Sequence, residues 1–320
     1  MINADSQHTM LYCAPLQGLT EAPWRMAHRE VYGPHTPVRV RYVTPFVRLE
    51  HGEPRRRDMA DALSRLDSNA DTAAQIIAAD AQEFSMLASA LSEHGIRRID
   101  LNMGCPFRPQ ILRGRGSALI LNPDALNMIA SAMAEMPDVT FSVKMRLGVT
   151  EPHEWLSVID ILNRMPLSHI TVHPRTAAMQ YKGDLLMDEY ERLLSVSAHP
   201  VVMNGEIRSA RDIDSILQRY PLTAGIMAGR GLLARPSLLA EWASGEEWSA
   251  DRRRDALKQL HGLIYGHYKA TLCGPSQILM KIKPLWEYLG ADLDHKTNKL
   301  IRKAASIERY ESVMRENGLL

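Results

Sequence analysis

Cysteine is scarce in this 320-residue chain. Cys13, Cys105 and Cys273 are too few and too scattered for a disulfide framework or a zinc cluster, which fits a reducing compartment. An excess of either charge is also missing: Lys and Arg total 38 against 37 Asp and Glu, a net charge of +1. The chain as a whole therefore carries no signal for a polyanionic partner, and any nucleic-acid surface must be a local patch. No run of about 18 apolar residues is present that could span a membrane, and the opening MINADSQHTM has neither the basic nor the apolar region of a secretory leader. A cytoplasmic location with no membrane partner is the expectation. Internal repeats, low-complexity tracts and metal-ligand spacings are absent too. What is there is ordinary for a globular protein able to bury a large core: 45% apolar residues and 23% charged.

Short apolar runs alternate with longer stretches of helical periodicity, which argues for a parallel sheet with crossover helices. Eight runs qualify as strands: 11–14, 40–44, 73–77, 98–102, 140–145, 169–173, 201–204 and 223–227. Between them the spacing predicts helices over 81–93, 123–134, 154–163, 190–196 and 210–219, the last opening on Ser209 as N-cap before Asp212. Eight strands with intervening helices predict a closed (β/α)8 TIM barrel, an α/β fold, over residues 1–244. After Gly229-Arg230-Gly231 only helical periodicity remains, in 246–268, 276–289 and 295–315. A C-terminal domain of about three helices is therefore expected over 245–320.

Barrels of this kind build their active sites at the carboxyl ends of the strands, so polar residues that close an apolar run are the candidates. They are Ala14-Pro15, Gln75, Asn102 with Cys105, Lys144 with Arg146, His173 with Arg175, Asn204-Gly205-Glu206 and Gly229-Arg230. A lone Gln or Asn at a strand end is commonly a loop residue with its bonds satisfied, but recurrence at most of the strand ends points to a site. The glycines after the seventh and eighth strands let backbone N–H groups approach a phosphate, and Arg230 adds a charge-assisted bond. Lys144 closes the buried run Phe141-Ser142-Val143, where an unpaired ammonium is costly, so an anion or electron-rich ring beside it is expected. The segment Leu101-Asn102-Met103-Gly104-Cys105-Pro106 carries a thiol on a loop over the barrel mouth, in contrast to Cys13 inside a strand and Cys273 beside a Gly-Pro turn.

These motifs resemble those of the tRNA-dihydrouridine synthases from Leu11 to about Arg315. The most specific is Asp100-Leu101-Asn102-Met103-Gly104-Cys105-Pro106, which looks like the family's D-x-N-x-G-C-P signature. It is joined by Ala14-Pro15-Leu16-Gln17-Gly18, GRGSALILNP (114–123), Lys144-Met145-Arg146-Leu147-Gly148, Val172-His173-Pro174-Arg175-Thr176, Asn204-Gly205-Glu206-Ile207 and Met227-Ala228-Gly229-Arg230-Gly231. Gln17 stands where the family more often has an acidic residue, and Pro174 where many members have Gly.

The resemblance implies an FMN-binding barrel followed by a helical domain that grips tRNA, with NADPH re-reducing the flavin and a monomer acting alone. Ala14, Pro15 and Leu16 would line the flavin, Gln75 and Lys144 would contact its ring, and His173 would lie beside it. Asn204, Gly205, Glu206, Gly229 and Arg230 would hold the phosphate, and Cys105 matches the proton donor. Asn102 and Arg146 would bond the uracil edge, with Tyr181 stacking on it or bonding it. Lys281 and Lys283, in Lys281-Ile282-Lys283-Pro284-Leu285-Trp286, resemble the tRNA-contacting helix of the branch that modifies an early D-loop uridine. Arg252, Arg253 and Arg254 either extend that patch or form an ordinary charged helix start. Three other classes remain open: a dihydroorotate-dehydrogenase-like FMN reductase of a small molecule, a silent RNA-binding barrel, and a phosphate-binding isomerase with Glu206 as its base.

Overall fold

The computed structural model describes residues 9–65 and 71–320; of the opening MINADSQHTM read above for a leader, residues 1–8 lie outside them. In chain order the strands are β1 (Met10–Cys13), β2 (Val40–Val43), β3 (Leu49–Glu50), β4 (Glu53–Pro54), β5 (Thr72–Ile76), β6 (Arg98–Met103), β7 (Thr140–Gly148), β8 (Leu167–Thr176), β9 (Val201–Asn204) and β10 (Thr223–Ala228). All except β3 and β4 pair in parallel as a closed barrel in the order β1-β10-β9-β8-β7-β6-β5-β2. Each of the eight expected strands is present, with β7 and β8 running several residues further at their carboxyl ends. β3 and β4 form an antiparallel hairpin whose two turn residues, His51 and Gly52, both take positive φ, the geometry that matches the twist of a tight hairpin.

The helices are α1 (Ala22–Tyr32), α2 (Arg56–Ala62), α3 (Ala81–Glu93), α4 (Arg108–Ile111), α5 (Pro123–Ala134), α6 (Ile159–Arg164), α7 (Met187–Val196) and α8 (Ala210–Arg219). After the barrel come α9 (Arg230–Ala234), α10 (Leu238–Ser244), α11 (Ala250–Thr271), α12 (Pro275–Ile282), α13 (His295–Lys303) and α14 (Ile307–Glu316). α8 opens as expected: Ser209 Oγ accepts from Asp212 N at 3.3 Å while Asp212 Oδ2 accepts from Ser209 N at 2.8 Å, a reciprocal capping box.

Elsewhere the helices differ from expectation for visible reasons. The helix expected over 154–163 splits into a 3-10 turn (Glu154–Ser157) and α6. The Glu154 carboxylate accepts from Thr150 Oγ1 at 3.1 Å and from Glu151 N at 3.2 Å, which ties the turn back onto its own entrance. α12 stops at Ile282 and tightens into a 3-10 turn (Lys283–Glu287) that holds Pro284, a residue with no N–H to continue the ladder, near its start. The stretch expected as one helix over 295–315 breaks at Ala304–Ser306. Lys283 Nζ takes the Ala304 carbonyl at 2.8 Å, and Ser306 Oγ accepts from Arg309 N at 3.3 Å to cap a new helix. Four helices thus follow residue 245 rather than three.

A small apolar cluster of Tyr12, Ala14, Val43, Val202 and Met227 fills the barrel interior, and the larger core lies between strands and outer helices. That larger core continues into the C-terminal helices: α11 packs along α1, and Trp248 stacks on Tyr32 with ring centroids 5.8 Å apart. α10 ends on Gly245 in the left-handed conformation, φ +68°, which turns the chain back toward α11. Among the described residues no helix is long and apolar enough to cross a membrane.

Three of the buried histidines, His28, His169 and His261, contribute to the acid lability of the fold. His28 is bonded to Tyr42 Oη at 2.8 Å and to the Pro236 carbonyl at 2.9 Å; His261 meets Tyr310 Oη at 2.7 Å; His169 lies near Arg41 and Arg98. Burial pushes each of them down to about 4. Because the folded value lies below the unfolded one, the unfolded chain binds more protons between pH 6.5 and 4, and stability is lost as pH falls through that window. The loss is up to about 1.4 kcal/mol per pH unit for each histidine. Urea midpoints at pH 7 and pH 5 check this: a clear drop at pH 5 is expected, and equal midpoints would refute it.

Candidate active site

The carboxyl ends of the strands converge on one cleft of about 510 Å³. β1 runs out into Ala14, Pro15 and Leu16; β5 brings Gln75; β6 and its loop bring Asn102 and Cys105; β7 brings Lys144 and Arg146; β8 brings His173. The loops after β9 and β10 supply Asn204, Gly205, Glu206, Gly229 and Arg230, and Tyr181 stands at the rim, 46% exposed. Arg175, buried behind the rim, reaches the same loops through Glu206.

Beneath the cleft a chain of buried side-chain bonds fixes the floor. Ser142 Oγ donates to Asp100 Oδ1 at 2.6 Å, and Gln75 Nε2 donates to Asp100 Oδ2 at 2.7 Å. Gln75 Oε1 in turn accepts from Asn102 Nδ2 at 2.8 Å. That leaves Asn102 Oδ1 to accept from the backbone N–H of Gly104 at 3.0 Å and of Cys105 at 2.8 Å. The direction of every amide follows from the acceptor at the end of the chain. Asn102 therefore folds the loop that carries the thiol, and one hydrogen of its amide remains for a ligand. Burial pushes the Asp100 carboxyl up from the usual carboxylate range.

The Cys105 loop is also braced from above. Ser117 Oγ donates to the Cys105 carbonyl at 3.0 Å, and Gly116, at φ +63°, comes so close that an added Cβ would lie 2.9 Å from Cys105 Cβ. Burial raises the thiol above its ordinary value, while the Phe107 N–H and the charges of Arg146 and Lys144 pull the other way. The thiol is thus protonated at neutral pH beside cations that favour the thiolate it would leave. Gly116→Ala should shift this loop: turnover is expected to fall roughly 10²-fold while cofactor affinity stays unchanged, since misplacement by about 1 Å costs that much. Steady-state rates beside a cofactor titration decide it; full activity would show that the bracing does not matter.

Lys144 lies 2.7 Å from Asn204 Oδ1, and burial, reinforced by Arg146, holds its ammonium down to about 8. Arg146 donates to three backbone carbonyls: Nε to Gly104 at 3.0 Å, and Nη1 to Thr176 at 2.9 Å and Gln180 at 2.6 Å. It ties the thiol loop to the segment leading to Tyr181, whose ring lies 5.3 Å from its guanidinium and 4.5 Å from that of Arg230. His173 is kept neutral by burial and by the surrounding cations.

At the far end, Glu206, at φ +48°, accepts from Arg175 Nη1 and Arg230 Nη2, each at 2.9 Å, and from Arg208. Burial would raise its carboxyl, but the bonds and charges of Arg175 and Arg208 outweigh it and hold the group below the usual range, which makes Glu206 a poor base and an organiser of cations. The charged side chains lining the cleft are Lys144, Arg146, Arg208 and Arg230 against Glu206. Gly229 sits where a Cβ would press on Ala14 Cβ at 3.3 Å, so its backbone is bare toward the cleft. A phosphorylated, planar, electron-rich group fits this set of donors.

A sequence profile of the dihydrouridine synthase family matches residues 12–286, most of the chain. The chain belongs to the dihydrouridine synthase family. It is 30% identical over 266 residues to a probable tRNA-dihydrouridine synthase of Rhizobium leguminosarum bv. phaseoli, covering 81% of this chain and 77% of that protein. It is similar also to tRNA-dihydrouridine synthase B of Shewanella oneidensis, at 31% over 61% of this chain and 64% of the relative, and of Vibrio vulnificus, at 28% over 61% of each. Members of the family are flavin-dependent oxidoreductases.

Within this dihydrouridine synthase framework, some contributions were not legible in sequence. Pro45 and Phe46 wall the cleft after β2, Arg208 joins the cationic end, and Tyr288 reaches the cleft from the C-terminal helices. Lys281 and Lys283 do not reach the cleft: Lys281 pairs with Glu21 at the start of α1, and Lys283 bonds the Ala304 carbonyl. Lys283 lines a separate groove of about 870 Å³ between α12 and α13, together with Lys299, Arg302 and Lys303. Arg252 pairs with Glu246 and stacks on Trp248, Arg253 bonds the Trp248 carbonyl, and Arg254 the Asn317 carbonyl.

Proposed function

We propose that this chain reduces the 5,6 double bond of a D-loop uridine in tRNA, as a monomer, with bound FMN that NADPH re-reduces and with Cys105 as proton donor. What carries the reading is that a protonated thiol, held by Asn102, Gly116 and Ser117, opens into the same cleft as a buried lysine and a glycine-lined cationic end. Ala14, Pro15 and Leu16 would line the flavin, Gln75, Lys144 and His173 would contact its ring, and the backbone of Asn204, Gly205, Glu206 and Gly229 with Arg230 would hold its phosphate. Glu206 serves that end through the arginines it gathers, since its own charge would repel phosphate.

Bound and reduced, FMN supplies the hydride for carbon 6 of the uracil. Cys105 gives its proton to carbon 5 from the opposite face as a general acid. Lys144 and Arg146 then favour the thiolate that remains, which recovers its proton from solvent. The uracil has to leave its stack to enter the cleft, where the free amide hydrogen of Asn102 and the ring of Tyr181 meet it. The basic groove of Lys283, Lys299, Arg302 and Lys303 would contact tRNA phosphates without reading sequence. In an anaerobic test, NADPH-reduced protein mixed with unmodified tRNA should regain its visible flavin bands, whereas reoxidation by a small enone and not by tRNA would favour the small-molecule reductase.

Lys144 also fixes a pH dependence. Its folded value of about 8 is below that of an exposed lysine, and an electron-rich ring beside it favours the charged form, so binding takes up a proton above that pH. FMN affinity is expected to be level below pH 8 and to fall by up to about tenfold per pH unit beyond it. Titrations of apoprotein from pH 7 to 9.5 read this directly; a level line to pH 9.5 would remove Lys144 from the flavin site.

A further inference from the structure

Two residues beyond the thiol, the chain leaves the cleft and builds a short lobe over α4 that no part of the mechanism uses. Pro106 still lines the cleft, but Phe107 is 60% exposed and Leu112 is 74% exposed, both unusual for large apolar side chains. Arg108 and Arg113 flank them, both exposed, and among the described residues neither has a carboxylate partner. Arg57 and Arg208, by contrast, are paired, with Glu21 and Glu206.

The lobe is nevertheless rigid at its base. Ile111, Leu112 and Gly114 close successive turns onto Phe107, Arg108 and Ile111, and Arg115 N returns to the Gln110 carbonyl at 3.0 Å. Arg115 itself is buried in an ion pair with Glu83. The backbone that carries an exposed aromatic ring and two arginines without carboxylate partners is thus tied down, starting two residues beyond the thiol.

We propose that this lobe, Phe107 with Arg108, Leu112 and Arg113, is a docking surface for the tRNA strand that flanks the uridine entering the cleft. The inference rests on the tRNA reading above and adds a contact on the thiol side of the cleft, formed by residues distinct from those of the groove between α12 and α13. Charge decides the occupant: unpaired arginines beside an aromatic face suit a strand that offers phosphates and unstacked bases in alternation. An extruded nucleotide also leaves its neighbours unstacked at the mouth, where Phe107 stands. Arg108 and Arg113 take the phosphates, and Phe107 with Leu112 takes a base face.

The test uses the flavin-loaded full chain, an unmodified tRNA transcript, and two variants, Phe107→Ala and Arg108→Ala/Arg113→Ala. Both change exposed side chains only, and the rate of flavin reduction by NADPH is expected to match the unsubstituted protein in each. Phe107→Ala should weaken tRNA binding roughly 10-fold with an unaltered salt slope, as for loss of one stacked base. The double variant should weaken it and reduce the slope of log K against log salt by about 1.4, as for two single-strand phosphates. Wild-type affinity and slope in both variants would overturn the proposal, as would intact tRNA binding combined with loss of self-association, which would assign the lobe to a second copy of the chain. If the unsubstituted protein neither binds nor reduces tRNA, the functional reading falls and takes the lobe with it; failure confined to the variants' behaviour leaves that reading standing.

Discussion

Cys105→Ala is expected to bind FMN and tRNA as the unsubstituted protein does and to lose roughly 10²- to 10⁴-fold in dihydrouridine formation, the usual contribution of a positioned general acid. The thiol is a small part of the cleft wall, and the bonds that shape its loop run through the backbone: the Cys105 N–H to Asn102 and the Cys105 carbonyl to Ser117. Alanine keeps both. The loss should appear in the half-reaction with tRNA and not in the half-reaction with NADPH, because reduction of the flavin requires no proton at carbon 5. Separate rapid-mixing measurements of the two half-reactions decide the matter, and an unchanged rate of flavin reoxidation by tRNA would take the proton-donor role from Cys105.

Gly231→Ala should act on the other end of the cleft and through the fold. A Cβ at this position would lie 1.8 Å from the Ile207 carbonyl oxygen and 3.0 Å from Arg208 Cα, both backbone atoms that cannot swing aside. The start of α9 and the loop after β9 would have to separate. That costs roughly 3 kcal/mol, at the upper end of overpacking, and it spreads the segments that carry Gly205, Glu206, Gly229 and Arg230. The expected result is a protein purified without flavin, with a urea midpoint shifted down. Retention of flavin at an unchanged midpoint would show that the two loops yield at little cost and are not a built phosphate end.

The barrel was legible in the sequence because its strands are buried on both faces and read as apolar runs such as Phe141-Ser142-Val143 and Val201-Val202-Met203, each closed by a polar residue at the mouth. The helices that were read correctly, α3, α5 and α8, carry their own caps in Asp80, Asn122 and Ser209. α1 was not, and its start depends on a partner far away in sequence: the Ala22 N–H donates to Asp61 Oδ1 at 2.6 Å, and Arg25 bonds the same carboxylate at 3.0 Å. No local pattern contains that information.

The membership of the candidate site was legible from strand ends, but the division of labour within it was not. Asn102 and Arg146 read as groups for the base edge, yet most of their bonding capacity goes to the thiol loop and to the Thr176 and Gln180 carbonyls. Glu206 read as a phosphate-end residue and serves there as the hub of three arginines, a role set by which cations the fold brings to it. The ion pair of Lys281 with Glu21, at the other end of the sequence, was not legible either.

The central claim is that this cleft reduces uridine within tRNA. Its most direct test is incubation of the flavin-loaded protein and NADPH with an unmodified tRNA transcript, followed by mapping of dihydrouridine along the strand. The account predicts dihydrouridine in the D-loop that depends on both NADPH and Cys105; flavin-loaded protein that oxidises NADPH yet leaves every uridine of the transcript unreduced would contradict it.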